Sequence, residues 1–173
     1  MVLSMSRSLP FLFVLNTEVN TMGLDQFISA TIHVPAQKVG DVIEDNPILK
    51  KLVDDQFSLA TVKLKLGQFR KFNALHGYIE KRVGEIENLQ DVSIDNIIDE
   101  LYEDCKLILA TKDSKDGNAD AIQRMPPTEG FFFGSTEVDG WYYSDVKELH
   151  DLLADLIKLS EIGDISFKYT AWW

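Results

Sequence analysis

The sequence predicts a single α+β domain, a small mixed sheet with three or four helices packed on it. Three observations predict it. Residues 58–66 and 165–172 alternate apolar and polar side chains with the period of two that a half-buried strand requires. Residues 94–111 and 145–160 carry apolar residues at spacings of three and four, the period of an amphipathic helix. No internal period repeats and no linker rich in Gly, Ser or Pro divides the chain, so these elements are expected to share one core. A chain of 173 residues with 45% hydrophobic residues is long enough to bury one.

The elements follow in order. Residues 1–21 read as a disordered or non-native extension, and 22–173 as the domain. The apolar run Leu9–Leu15 is broken by Pro10, and no small-residue cleavage site of a secretory signal follows it. Leu24–Val34, rich in Phe, Ile, Thr and Val and closed by Pro35, reads as a strand. Val39–Val53 is interrupted by Pro47 and reads as one or two short helical turns. In the strand Ser58–Leu66, Val62, Leu64 and Leu66 are expected on the buried face and Lys63 and Lys65 in water, with Gly67 breaking the strand.

Phe69–Val83 is predicted helical, because Phe69, Phe72, His76, Ile79 and Val83 fall on one helical face. Ser93 is placed to cap a helix from Ile94 to about Thr111, whose stripe includes Leu101, Cys105 and Ile108. Lys112–Asp120 has the composition of a polar loop. The turn Met125–Gly130 leads into a strand-like Phe131–Thr136, and Asp139-Gly140 reads as a hairpin or tight-turn dipeptide. Ser144 is expected to cap the helix Asp145–Ser160, and Ile165–Trp172 forms the last strand.

Charge narrows the function. Asp and Glu number 28 against 17 Lys and Arg, a formal net charge of −11, which opposes direct nucleic-acid binding and attraction to anionic lipid. No apolar run approaches the roughly 20 residues of a membrane span. The single cysteine, Cys105, rules out an internal disulfide framework or a cysteine-based zinc cluster, and its place on an apolar stripe reads as a buried, inert thiol. No Gly-x-Ser-x-Gly, His-Glu-x-x-His or Gly-x-Gly-x-x-Gly string occurs. No cofactor and no metal are expected.

Several residues remain as candidates. His76 falls on the apolar face of its helix, where it is either a general base or ligand in a pocket or a buried imidazole satisfied by a hydroxyl or carbonyl. Asn73 and Glu80 flank it at three and four residues, so the three are expected to meet at one pocket edge, with His76 and Glu80 as the catalytic candidates. His76 and Glu80 alone are two ligands, too few for a metal site. Arg70, with Lys71, has the chemistry to bind a phosphate or carboxylate, or forms a solvated face. Gly134, Ser135 and Thr136 offer amides and hydroxyls to an anion, but lack the lysine and glycine spacing of a P-loop. Trp172, with Trp173 and the Trp141-Tyr142-Tyr143 run, is a candidate aromatic contact surface.

Four segments together resemble a family of small uncharacterised proteins encoded by bacteriophages and prophages. They are Met22-Gly23-Leu24-Asp25, the run Phe69-Arg70-Lys71-Phe72-Asn73-Ala74-Leu75-His76, the segment Gly130-Phe131-Phe132-Phe133-Gly134-Ser135-Thr136 followed by Trp141-Tyr142-Tyr143, and the aromatic tail Phe167–Trp172. The resemblance spans essentially Met22 to Trp172 in the same order. Phe69 stands where the family has Trp, Leu75 where it has Ile, and Ala171 where it has Ser. The resemblance implies a phage origin and a fold, and names no reaction. The expectation is therefore a non-catalytic accessory protein that binds a host protein in the host cytoplasm, its oligomeric state open. The alternative is a small enzyme or nucleotide-binding module with a pocket around Arg70, Asn73, His76 and Ser135.

Overall fold

The structure is a computed structural model, which describes residues 23–35, 59–130, 134–161 and 165–173. The expected extension 1–21, the turns over 39–53 and the segment Phe131–Phe133 lie outside the described residues. The described residues form an α+β domain with a four-stranded sheet and four helices. Strand β1 (Asp25–Pro35) lies between β2 (Leu59–Arg70) and β4 (Ile165–Trp172), and the short β3 (Asp91–Ser93) pairs with β4 at the edge. All three pairings are antiparallel, where the sequence suggested a mixed sheet. The helices are α1 (Asn73–Val83), α2 (Ile98–Thr111), α3 (Gly117–Arg124) and α4 (Gly140–Ser160).

The strands follow from alternation. Ile28 and Ala30 of β1 and Phe167, Tyr169 and Ala171 of β4 are buried in one hydrophobic cluster with the helices. The opposite face carries Lys65, Ser29 and Lys168 side by side in register. A bulge sets β2 against β1: Ile28 faces Gly67 but Ser29 faces Lys65, so Leu66 is the extra residue. In α4, Val146, Leu149, Leu153 and Leu156 form the buried stripe, meeting Leu101, Cys105 and Ile108 of α2. Full burial of each such aliphatic side chain is worth about 1.5–3 kcal/mol. Cys105 is fully buried and its thiol is pushed up by burial and by Asp104, so it has no thiolate character.

Several expectations are corrected. Gly67 does not end β2. The strand continues to Arg70, and Gly67 lets Leu152 of α4 lie so close that a Cβ there would sit 2.4 Å from its Cδ2. Phe69 therefore belongs to the strand, and α1 begins four residues later. The helical spacing of Phe69 and Phe72 is shared by chance, because both reach the same core from different elements. Val62 and Leu64 are 45% and 40% exposed rather than buried. They lie on the part of β2 before the bulge, whereas the contact with Leu152 of α4 is made beyond it. Residues 134–138 are not a strand. Asp139 is no hairpin residue but the N-cap of α4, its carboxylate accepting from the amides of Trp141 (2.9 Å) and Tyr142 (3.0 Å). Ser93 ends β3 and accepts from the amide of Asp95, and a 3₁₀ turn (Asp95–Ile97) precedes α2. The polar stretch from 112 contains the start of α3.

A buried polar network ties sheet to helix. The Gln26 side chain clasps the backbone of Phe72 at two points: its Oε1 accepts from the Phe72 amide and its Nε2 donates to the Phe72 carbonyl, both at 3.0 Å. The same Nε2 lies 3.0 Å from the Tyr169 hydroxyl, which in turn is 2.9 Å from His76 Nδ1. Because the Tyr169 oxygen accepts from Gln26, its proton is directed to His76 Nδ1. Nδ1 is thus an acceptor, which assigns the neutral imidazole with its proton on Nε2. Burial lowers the His76 pKa, against a smaller opposing effect of Glu80, in keeping with that assignment. Protonation would turn Nδ1 into a donor and force the Tyr169 oxygen to accept twice.

Two outcomes are expected in urea unfolding. Gln26→Leu leaves the Phe72 amide without its buried partner, removes one of the two donors to the Phe72 carbonyl and costs about 2–4 kcal/mol, whereas Tyr169→Phe costs about 1–3 kcal/mol. In wild type, the contribution of His76 to stability is intact above pH 6.5 and is lost as pH falls through its lowered folded pKa, because the unfolded chain takes up the proton first. A His76 signal titrating at or above 6.5 in NMR would contradict this.

Candidate binding cleft

The turn between β2 and α1 meets the segment before α4. Lys71 adopts φ 61°, an unfavourable conformation for a side chain with a Cβ, and its amide donates to the Leu24 carbonyl at 2.6 Å. Gly134, at φ 88°, lies against it, where a Cβ would come 3.1 Å from Lys71 Cβ. Between these segments and the first turns of α4 opens a cleft of about 440 Å³. Arg70, Lys71 and Asn73 line it from the turn into α1, Gly134 and Ser135 from the segment before α4, and Trp141, Asp145 and Glu148 from α4 itself. The volume is in the range of small-ligand pockets.

Asn73 builds the cleft rather than reacting in it. Its Nδ2 donates to the Ser135 carbonyl at 2.7 Å and its Oδ1 accepts from the Thr128 amide at 3.3 Å, so one side chain pins both ends of the intervening loop to α1. One turn on, Gly77 lets the same loop approach: a Cβ there would lie 1.9 Å from Thr128 Oγ1. The Ser135 hydroxyl accepts from the Glu137 amide at 3.1 Å, a local turn contact. Thr136 is exposed and does not line the cleft.

The expected convergence of Asn73, His76 and Glu80 is not what the helix produces. His76 is 2% exposed and turned into the core, its ring 5.3 Å from that of Trp173 in an edge-on contact. Glu80 accepts from the Ile86 amide at 3.4 Å. Arg70 stands at the rim, 3.8 Å from Asp25, and Asp25 pairs with both Arg70 and Trp172, so the three form one row across the sheet. Trp172 is 41% exposed on that row, while Trp173 is half-buried and held through its backbone by Asn88. Arg70, Asn73, Gly134 and Ser135 therefore share one site, and His76, Glu80 and Thr136 do not line it.

The acidic lining went unnoticed in the sequence, although its signal is there: Trp141, Asp145 and Glu148 are spaced by four and three, one stripe of a helix. Trp141 is 80% exposed. The Asp145 carboxyl is raised to about 6 by burial, then by the neighbouring charges of Glu148 and Asp139. Glu137, Asp139, Asp145 and Glu148 set four carboxylates against the two cations Arg70 and Lys71 in the lining. Such a cleft repels a phosphate and attracts an organic cation, for which Trp141 offers a π-face. Among the described residues no group of three His, Cys, Asp or Glu is placed to hold a metal ion, and no helix is long and apolar enough to cross a membrane.

Three variants check this geometry. Asn73→Ala costs about 1–3 kcal/mol in urea unfolding, because the Thr128 amide and Ser135 carbonyl lose their partner. Gly77→Ala, which in a free helix would gain about 1 kcal/mol, is instead destabilising here because the Thr128 loop must move. In the pH dependence, the stabilising effect of protonated Asp145 is complete below about pH 4 and is lost as pH rises through its folded pKa of about 6. Asp145→Asn accordingly raises Tm at pH 7.5 by about 2–4 °C and leaves it unchanged at pH 4. Comparison with protein-family models, curated proteins and solved structures finds no match to this chain, so the chemistry of the cleft is read from its own geometry.

Proposed function

We propose that this chain is a bacteriophage-encoded accessory protein that binds a host protein in the host cytoplasm and catalyses no reaction. The observation that carries the binding part is the cleft itself. Its acidic lining and 80% exposed Trp141 suit a basic side chain presented by a partner. The polar residues of the most distinctive motifs are taken up in building it: Asn73 pins the loop and His76 is closed into the core against Tyr169. Phage origin and host partner rest on the family resemblance of the Met22–Trp172 segments.

A second reading, a small enzyme in the same cleft, draws on Asp145, whose carboxyl exchanges its proton near neutrality. In that reading Arg70, Asn73 and Ser135 surround the substrate and Asp145, rather than His76, is the acid. The excess of carboxylates argues against its nucleotide-binding form.

Site-specific photo-crosslinking in infected host cells tests the first reading. A photoreactive residue at position 141 is expected to capture one stoichiometric host protein, and the same residue at Lys106 on α2 is not. Asp145→Asn combined with Glu148→Gln reduces the yield about tenfold. Equal capture from both positions, or none from position 141, overturns the proposal.

A further inference from the structure

The face of the sheet turned away from the helices carries a second feature, which shares no lining residue with the cleft. A depression of about 420 Å³ there is lined by Phe27, Ser29, Lys63, Lys65, Asp91 and Thr170. Ser29 is unusual among them. It is only 6% exposed, and its Oγ is the one buried side-chain polar atom, among the described residues, without a hydrogen-bond partner. A buried hydroxyl left unpaired costs stability, so its persistence at the wall of a depression calls for a physical account.

The register supplies one. Ser29 on β1 is paired with Lys65 on β2 and with Lys168 on β4, so a lysine stands on each side of the hydroxyl, on the same face. One row away Lys63 faces the same depression. Asp91 is the only carboxylate in its lining, and it is engaged by the Thr170 hydroxyl and by Lys63 at 2.9 Å, which in that order hold its pKa below the usual range. In a chain of net charge −11, the two lysines of the lining and Lys168 beside Ser29 at its margin, against one paired aspartate, make this a locally cationic patch. The Lys65 ammonium lies 3.9 Å from the centre of the Phe27 ring and 3.0 Å from Gln68 Oε1. It is carried on an exposed, flexible stem and can swing toward Ser29.

We propose that Ser29, Lys65 and Lys168 form an anion site on the open face of the sheet, taking the phosphate group of a small molecule. Two ammonium groups and one hydroxyl, approaching from three neighbouring strands, suit a tetrahedral group with several acceptor oxygens better than a planar carboxylate. The Phe27 ring beside them gives a phosphate ester an apolar surface that inorganic phosphate does not use. The site is independent of the cleft and of its proposed partner.

The test is a titration of the ¹⁵N-labelled chain with inorganic phosphate and with phenyl phosphate, each against sodium chloride at matched ionic strength. Saturable shifts are expected at the amides of 27–31, 63–65 and 168–170. Tighter binding of phenyl phosphate identifies an ester as the ligand, and equal binding identifies the free ion; both support the phosphate site. Ser29→Ala is expected to weaken binding about three- to tenfold without lowering Tm, since it removes a hydroxyl that has no partner in the free protein. Lys65→Gln with Lys168→Gln weakens it by about tenfold or more, and decides the matter if Ser29→Ala does not fold. Shifts that follow ionic strength alone, or affinity unchanged in these variants, overturn the proposal.

Discussion

The fold turns on the amide of Gln26. A primary amide presents the same donor and acceptor pair as a peptide group, and Gln26 uses both on the backbone of Phe72, at the point where β2 has ended and α1 has not yet begun. The Phe72 carbonyl already accepts from the Leu75 amide at 3.1 Å in the first turn of α1, but the Phe72 amide has no ladder or helix partner, and burial makes that lack costly. The Gln26 side chain supplies the missing partner from the central strand. It thereby fixes the angle at which α1 leaves the sheet. Everything α1 carries depends on that angle: His76 reaching Tyr169, Asn73 reaching Ser135 and Gly77 receiving Thr128.

This arrangement explains which parts of the fold were legible. β1, β4 and the buried stripe of α4 are fixed by local pattern, and the expected strand Ile165–Trp172 agrees residue for residue with β4. The boundaries that misled are those set by contacts distant in sequence. Gly67 has the local chemistry of a strand breaker, but its neighbour is Leu152, 85 positions later, and only that neighbour makes a glycine useful inside the strand. Asp139-Gly140 has the composition of a tight turn and also that of an N-cap with its first helical residue; the choice between them is made by the helix that follows. β3 is three residues long, too short for alternation to register, and is stabilised by pairing with β4.

The candidate site divides along the same line. That Arg70, Asn73, Gly134 and Ser135 belong together was visible from their unusual motifs, though the reason was not. Helical spacing put His76 beside Asn73 and Glu80, yet residues three and four apart on a helix share a face without sharing partners. Asn73 is at the first turn, where the chain emerges from the sheet, so it reaches the loop at the surface. His76, one turn further in, meets the underside of β4. The partner that decides its role, Tyr169, lies 93 positions away, and no local spacing announces it.

The distribution of charge separates the two surfaces more firmly than their shapes do. A phosphate entering the cleft would meet four carboxylates, one of them already holding its proton to about pH 6 because of its burial and, less, its charged neighbours. A cation approaching the open face of the sheet would meet Lys63, Lys65 and Lys168 in adjacent positions. Since the interaction of like charges a few ångströms apart amounts to kcal/mol even at a protein surface, neither ligand class can exchange sites with the other. Net charge alone, which argued against nucleic acid and anionic lipid, averages over this division. The sheet concentrates its lysines by the alternation that turns their stems away from the core, and α4 concentrates its carboxylates by placing Asp145 and Glu148 on the stripe next to Trp141. An acidic chain can thus hold a cationic face, because strand and helix periodicity sort side chains by position rather than by total.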